Sequence, residues 1–263
     1  MPTSAASLST AARLLEAILA TAGGDVRELT GIAVGGEAGS GSPGEPRVMS
    51  EPPHGGAVRQ HAAMGGAAAE ATVRTGPATA RLDAPPEVLA AVAPVRRERA
   101  AGGDELRAAL APVLGEARGL LTWARSEGFM STAGGALLPG GSPAARLSAL
   151  LVAAAELASF AWLGLTGAPH ALVAIERVTV QALPHPGAEL GLKVKMIPPE
   201  SGLWRADVHV VCEGELVAEI RGLTGAPVRA APATPGLVGD AAERAWRRFC
   251  RRMRAEHAAE EVA

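Results

Sequence analysis

The stretch from Pro143 to about Leu163 has no polar face. Its middle, Leu147-Ser148-Ala149-Leu150-Leu151-Val152-Ala153-Ala154-Ala155, is apolar nearly all round. A helix of that kind must be buried on most sides, so the rest of the chain has to wrap it. Pro143 suits the first turn, where a missing N–H costs nothing. Gly164 and Gly167 are expected to stop the helix. The wrapping material follows directly. Leu172 to Ala182 reads as a strand. In Glu189-Leu190-Gly191-Leu192-Lys193-Val194-Lys195-Met196 apolar and polar residues alternate, so one face is buried and one is wet. Trp204 to Cys212 alternates in the same way, Cys212-Glu213-Gly214-Glu215 is a hairpin turn, and Leu216 to Thr224 returns. These features predict an α+β fold in which an antiparallel meander curls round a long helix.

That arrangement is a hotdog. The N-terminal part repeats it in weaker form. Ser7 to Ala22 is helical, with Ser7 or Ser9 as cap and Leu8, Ala11, Ala12, Leu15, Ile18 and Leu19 at spacings of three and four. Gly23-Gly24 ends it, and Val26 to Val34 reads as a strand. Gly35 to Pro53 is rich in Gly, Ser and Pro and reads as loop. Val58 to Thr75 holds short strand-like runs. The expected organisation is a first hotdog half over 1–76, a linker over 77–103, a second half over 104–230 and a tail over 231–263. Asp104 is expected to cap a short helix ending at Leu114. The run Arg96-Arg97-Glu98-Arg99 reads as a solvated face. A last helix is expected from about Asp240 to Ala259. It has an Ala242, Ala245, Trp246, Phe249 and Met253 stripe flanked by arginines, and reads as a helix packed on the sheet or as a basic docking surface.

Composition narrows the class. The chain has 263 residues, of which 48% are hydrophobic, enough for a sizeable core. Aromatic residues make up 3% and Tyr is absent, so that core must be mostly Ala, Val and Leu. A formal net charge of -2 points to neither nucleic acid nor an anionic membrane. The apolar run Leu147–Ala155 is interrupted by Glu156 and reads as too short to span a bilayer. No signal peptide is evident, so a cytoplasmic protein is expected. Cys212 and Cys250 suggest a reducing compartment, with Cys212 a buried thiol on the apolar face of its strand. No C-x-x-C pair suggests zinc, and neither a metal nor a cofactor is expected.

Several short motifs, in order, carry a resemblance. They are Ala174-Ile175-Glu176-Arg177-Val178, Leu183-Pro184, Gly187-Ala188-Glu189-Leu190, Trp204-Arg205-Ala206-Asp207-Val208 and Ala218-Glu219-Ile220-Arg221-Gly222-Leu223. Together they resemble the second half of a polyketide synthase dehydratase domain, a double hotdog. The resemblance covers the last half of the chain well and the first half weakly. It implies two long central helices wrapped by a curled antiparallel sheet, with the first half truncated at its N-terminus. Leu114-Gly115-Glu116-Ala117-Arg118-Gly119-Leu120 resembles the family's Tyr-Gly-Pro-Ala-Phe-Arg-Gly-Leu segment, whose aromatics and Pro line the acyl tunnel. Leu114 and Glu116 stand in the Tyr and Pro places, and the Phe has no counterpart. Gln60-His61-Ala62 resembles an edge of the first sheet, where the family's His is a surface residue.

The resemblance also implies a chemistry that these residues do not carry. Family members eliminate water from a β-hydroxyacyl thioester. A His in a His-x-x-x-Gly-x-x-x-x-Pro motif takes the α-proton, and an Asp in Leu-Leu-Asp-Ala-Ala-Leu-Gln at the start of the second helix protonates the leaving hydroxyl. The His motif belongs upstream of the first helix, where this chain has only a few residues. A start assigned too late is the other reading of that gap. The Asp motif falls near Ala145 to Leu151, with Leu147 or Ser148 at the Asp place. No Asp or Glu lies between Glu127 and Glu156. Ordinary dehydration is therefore not expected. The remaining candidate catalytic residues are Ser148 and Arg146 at the helix start, and His170 in the turn after the helix. His185 and His209 read as exposed. The expected partners are an acyl carrier protein or polyketide synthase and a small-molecule polyketide, with a homodimer where a sheet edge is left open. Two functions stay open. One is a cyclase or isomerase, or a lyase-type activity, that works by holding the chain in a reactive fold. The other is a non-catalytic scaffold or partner subunit.

Overall fold

The apolar helix sits at the centre of the molecule, as its sequence demands. The computed structural model describes residues 6–36, 45–77, 81–92, 100–115, 119–126, 131–166, 169–200 and 203–228. In chain order the first half supplies α1 (Leu8–Ala22), β1 (Val26–Gly36), β2 (Arg47–Ser50), β3 (Ala57–Met64) and β4 (Ala67–Thr75). Then come α2 (Pro86–Val92), β5 (Ala101–Gly102), α3 (Gly103–Leu114), β6 (Leu121–Ser126) and β7 (Ser131–Leu137). The central helix α4 (Pro143–Thr166) precedes β8 (His170–Val180), β9 (Glu189–Glu200), β10 (Leu203–Cys212) and β11 (Glu215–Pro227). The tail helix expected in 240–259, Cys250, His257 and the run 96–99 lie outside the described residues.

The eleven strands among the described residues form one antiparallel sheet in the order β2-β3-β4-β1-β8-β11-β10-β9-β7-β6-β5. The halves join where β1 pairs with β8, Leu29 opposite Val178. Both long helices lie on one side of this sheet. Leu14, Leu15 and Ile18 of α1 share a core with Leu150, Leu151 and Phe160 of α4 and with Leu192, Val194, Val208 and Ile220 of the strands. Ser7 caps α1, its hydroxyl accepting the Thr10 N–H at 3.3 Å.

Several expectations need correction. Gly164 does not stop α4. The helix runs to Thr166, whose hydroxyl donates to the Trp162 carbonyl at 2.9 Å. Over Pro143–Gly164 it is long and apolar enough to cross a membrane, but 94% of that window is buried inside the protein. The strands after α4 are not a simple meander, because β8 pairs with β11 and β9 pairs with β7. The loop expected over Gly35–Pro53 contains β2, a short edge strand. The expected linker holds α2, which covers the sheet face opposite α4. There Val88 packs on Val211 and Leu216, and Ala91 packs on Trp123 and Ala133. The Arg125 guanidinium donates to the Ala91 carbonyl and stacks 5.8 Å from the Trp123 ring, tying the end of α2 to β6. Asp104 lies inside the first turn of α3. The Gly102 N–H before that turn is held by the Glu105 carboxylate at 3.1 Å.

Candidate functional site

At its far end α4 is pressed onto the sheet. Gly134 on β7 leaves room for Leu157, and Gly225 on β11 leaves room for the Trp162 ring. At its start a cavity of about 290 Å³ opens. It is lined by Leu19 and Gly24 at the end of α1, Asp25, Val26 and Arg27 at the start of β1, Pro143, Ala144, Arg146 and Leu147 on the first turn of α4, and Val180 and Leu183. Aliphatic side chains and the charged Asp25, Arg27 and Arg146 share its lining, and slightly more of the exposed wall is polar than apolar.

The three expected residues do not meet there. Only Arg146 lines the cavity. Its Nη1 donates to the Pro184 carbonyl, while its Nε is buried without a partner. Ser148, one residue past the cavity wall, is buried, and its hydroxyl donates to the Ala12 carbonyl of α1 at 2.8 Å. It joins the two helices. Ser148→Ala should cost about 1 kcal/mol in urea unfolding, the net worth of one buried hydrogen bond, and leave ligand affinity unchanged. A loss of affinity in the folded variant would return Ser148 to the site. His170 is the first residue of β8, not a turn residue. It is 2% exposed, its ring lies 5.8 Å from that of Trp162, and its carbonyl accepts the Ser159 hydroxyl at 2.6 Å. It lines none of the cavities described here.

Three histidines pair with carboxylates across space, a proximity that chain order hides. His61 lies 3.2 Å from Glu51 and 3.5 Å from Glu70, His185 lies 3.3 Å from Glu213, and His209 lies 3.7 Å from Glu219. None of these pairs lines the cavity at the start of α4. Burial holds the His209 imidazole below its ordinary range. The His185–Glu213 pair does line a second, larger cavity of about 540 Å³, beside Leu89, Val92, Val211 and Cys212 on the α2 side of the sheet. There His185 Nδ1 is 3.0 Å from the Pro186 carbonyl and Nε2 is 3.3 Å from Glu213. The carbonyl first, and then the carboxylate, raise its pKa and favour the imidazolium. Burial pushes the Cys212 thiol up as well. With both His185 nitrogens already engaged, no free base stands ready to activate the Cys212 thiol as a nucleophile. Among the described residues no group of three or more His, Cys, Asp and Glu stands together as a metal site.

Sequence reasoning missed Glu156, treating it only as a break in the apolar run. It is 0% exposed on α4. Its Oε2 accepts the N–H groups of Leu120 at 2.9 Å and Leu121 at 3.1 Å, and its Oε1 lies 3.1 Å from the Leu120 nitrogen. Burial raises its pKa to about 7 against the lowering pull of those amides and of Arg107. Both oxygens already serve the start of β6, so the carboxylate is a clamp on the chain. The signal was available as a lone acid in an otherwise apolar helix.

Solved structures share this arrangement. The dehydratase domain from the CurJ module of the curacin polyketide synthase matches with a TM-score of 0.60 at 12% identity, over 87% of this chain and 85% of that one. The dehydratase domain of RzxB from Pseudomonas fluorescens matches at 0.56 and 17% identity, over 84% and 85%. The fold is that of polyketide synthase dehydratase domains. A pyran synthase domain from module nine of the sorangicin pathway shares it, with a TM-score of 0.58 at 15% identity over 85% and 86%. No family model and no curated protein matches the chain. Against this dehydratase-domain fold, the start of α4 is where the resemblance places the acid, and Leu147 and Ser148 stand there.

Proposed function

We propose that the protein binds an acyl or polyketide chain tethered to an acyl carrier protein and acts on it by positioning, as a cyclase or isomerase of polyketide biosynthesis. One observation carries the reading. In a double hotdog of the dehydratase-domain kind, the cavity at the start of α4 sets Arg146, Arg27 and Asp25 among aliphatic side chains, and no imidazole stands there among the described residues. Such a pocket can fold a chain and polarise an oxygen. It lacks the imidazole that would take an α-proton in a dehydration. Orientation alone accelerates intramolecular reactions strongly. Beside several dehydratase domains, one domain of this fold bears the name pyran synthase, so ring closure lies within what the fold can host.

The test is mass spectrometry of a carrier-bound hydroxylated polyketide incubated with the purified protein. The expected product has unchanged mass and one more ring or a shifted double bond. Loss of one water would overturn the reading in favour of an ordinary dehydratase. An unchanged substrate would favour the second reading, a non-catalytic partner subunit of a synthase. The direct Ser148–Ala12 bond between the two helices supports that alternative, because it ties the helices together beside the cavity. Both readings place the protein in the cytoplasm with a polyketide synthase. A second copy would pair along β2, whose Met49 is 70% exposed.

A further inference from the structure

We propose that two copies of the protein join edge to edge through β2, antiparallel and in one register centred on Met49, so that a single sheet runs through both. This rests on the β2 pairing named above, to which it gives a geometry, and is independent of the acyl site. β2 ends the sheet, and among the described residues β3 is its one neighbouring strand. The Glu51 N–H, just past β2, donates to the Arg59 carbonyl at 2.9 Å. Bonded and non-bonded positions alternate along an antiparallel pair, so Arg47 and Met49, like Glu51, turn their backbone groups to β3. Val48 and Ser50 turn theirs to the open side. Pro46 and Pro52 share the parity of Val48 and Ser50 and have no N–H to offer. The free donors of this edge are thus confined to Val48 and Ser50, and a proline closes each end.

The side chains select the partner and the register. Arg47, Met49 and Glu51 alternate along the chain and so share one face. All three are exposed, Met49 to 70%. Among the described residues no carboxylate is paired with Arg47. Glu51 meets His61 at 3.2 Å through Oε1, which leaves its other oxygen for a second cation. Read against its own reverse, Arg47-Val48-Met49-Ser50-Glu51 is complementary. Arg47 of each copy faces Glu51 of the other, Val48 faces Ser50 so that each such pair exchanges both of its hydrogen bonds, and Met49 faces Met49 on the two-fold axis. A slip of two residues in either direction brings a proline opposite Ser50 or Val48, where one bond forms in place of two, and removes both charge pairs. Opposite charges directly across a ladder stabilise it and like charges do the reverse. One short strand from each copy makes a small contact, short of the ~1,200–2,000 Å² of a stable interface, so the dimer forms by mass action at high concentration.

Sedimentation velocity of the full chain over a concentration series reads the pairing, and charge exchange reads the register. The wild-type protein should pass from monomer to dimer as concentration rises. Arg47→Glu and Glu51→Arg should each stay monomeric where the wild type dimerises, because each sets like charges across the axis. An equimolar mixture of the two should regain the dimer, since every residue 47 then meets an opposite charge at 51. Mild oxidation gives a second readout in a Cys250→Ser background, where the remaining Cys212 is buried. Residues facing each other at a non-bonded position have Cα atoms about 4.5 Å apart, a distance that a disulfide spans. Met49→Cys should therefore cross-link to itself much faster than Arg47→Cys or Ser50→Cys, which face other residues. All of these side chains are exposed, so the substitutions leave the fold intact. A wild-type protein that stays monomeric throughout overturns the pairing. A dimer whose charge variants do not recover on mixing, or that cross-links faster through Arg47→Cys or Ser50→Cys, overturns the register. No readout involves an acyl substrate, so either failure leaves the proposed activity standing.

Discussion

Between pH 4.5 and 7 the stability of Glu156→Gln should gain on that of the wild-type protein by about 3 kcal/mol. The sign follows from which state holds the proton longer. In the unfolded chain the Glu156 carboxyl titrates near its ordinary 4.5, and in the folded protein burial raises it to about 7. Between those values the folded state binds more protons, so this group's contribution to stability falls as pH rises and levels off above 7. A shift of that size corresponds to about 3 kcal/mol at 1.36 kcal/mol per pH unit. Gln is isosteric and keeps one oxygen for Leu120 and Leu121 as Oε2 does now, but it cannot ionise. Its curve lacks this slope, while surface pairs such as Arg59–Glu70 act equally in both proteins and cancel in the difference. Urea unfolding of the two proteins at pH 4.5, 5.5, 6.5 and 7.5 measures it. A constant difference across the series would show that Glu156 is ionised at every pH in the fold, held by the amides of β6.

The same residue shows what the chain did and did not disclose. A helix without a polar face and strands with clean alternation reveal themselves, because burial on all sides or on one side leaves a periodic trace. So α1, α4 and the strands β8 to β11 could be read directly. Elements whose stability comes from elsewhere left no such trace. β2, Arg47-Val48-Met49-Ser50, is an edge strand mostly exposed along its length, so nothing in it alternates. β7 contains Gly134-Gly135, residues that argue against a strand on propensity. They are there because Leu157 of α4 lies over one face and the Trp123 indole over the other. Strand order was hidden too, since β8 lies beside β11 and not beside its chain neighbour. At the site, the resemblance led only to the expectation that Leu147 or Ser148 stands where the family has its acid. The engagement of Ser148 by Ala12, the enclosure of His170 and the orphaned Nε of Arg146 are facts of packing between distant segments.

Gly225→Val should destabilise the protein by about 3 kcal/mol, more than most single changes on this sheet. A Cβ at position 225 would lie 2.7 Å from Cε3 of Trp162, against a ring that is 0% exposed. Val or Ala could adopt the backbone conformation here, so the cost is steric. The ring has little room to retreat, because it is fully buried in the core. Overpacking of this kind typically costs about 1–3 kcal/mol, and Ala should fall near the lower end. A double-mutant cycle separates the clash from any effect on β11 itself. Trp162→Leu alone should lose about 3 kcal/mol or more through the cavity it leaves. In that background Gly225→Val should cost far less than in the wild type, because its methyl groups enter space the indole has left. Equal costs in both backgrounds would mean that Gly225 serves the strand and not the helix. Trp162 seats the far end of α4 on the sheet, and the cavity lined by Arg146 lies at the opposite end of the helix.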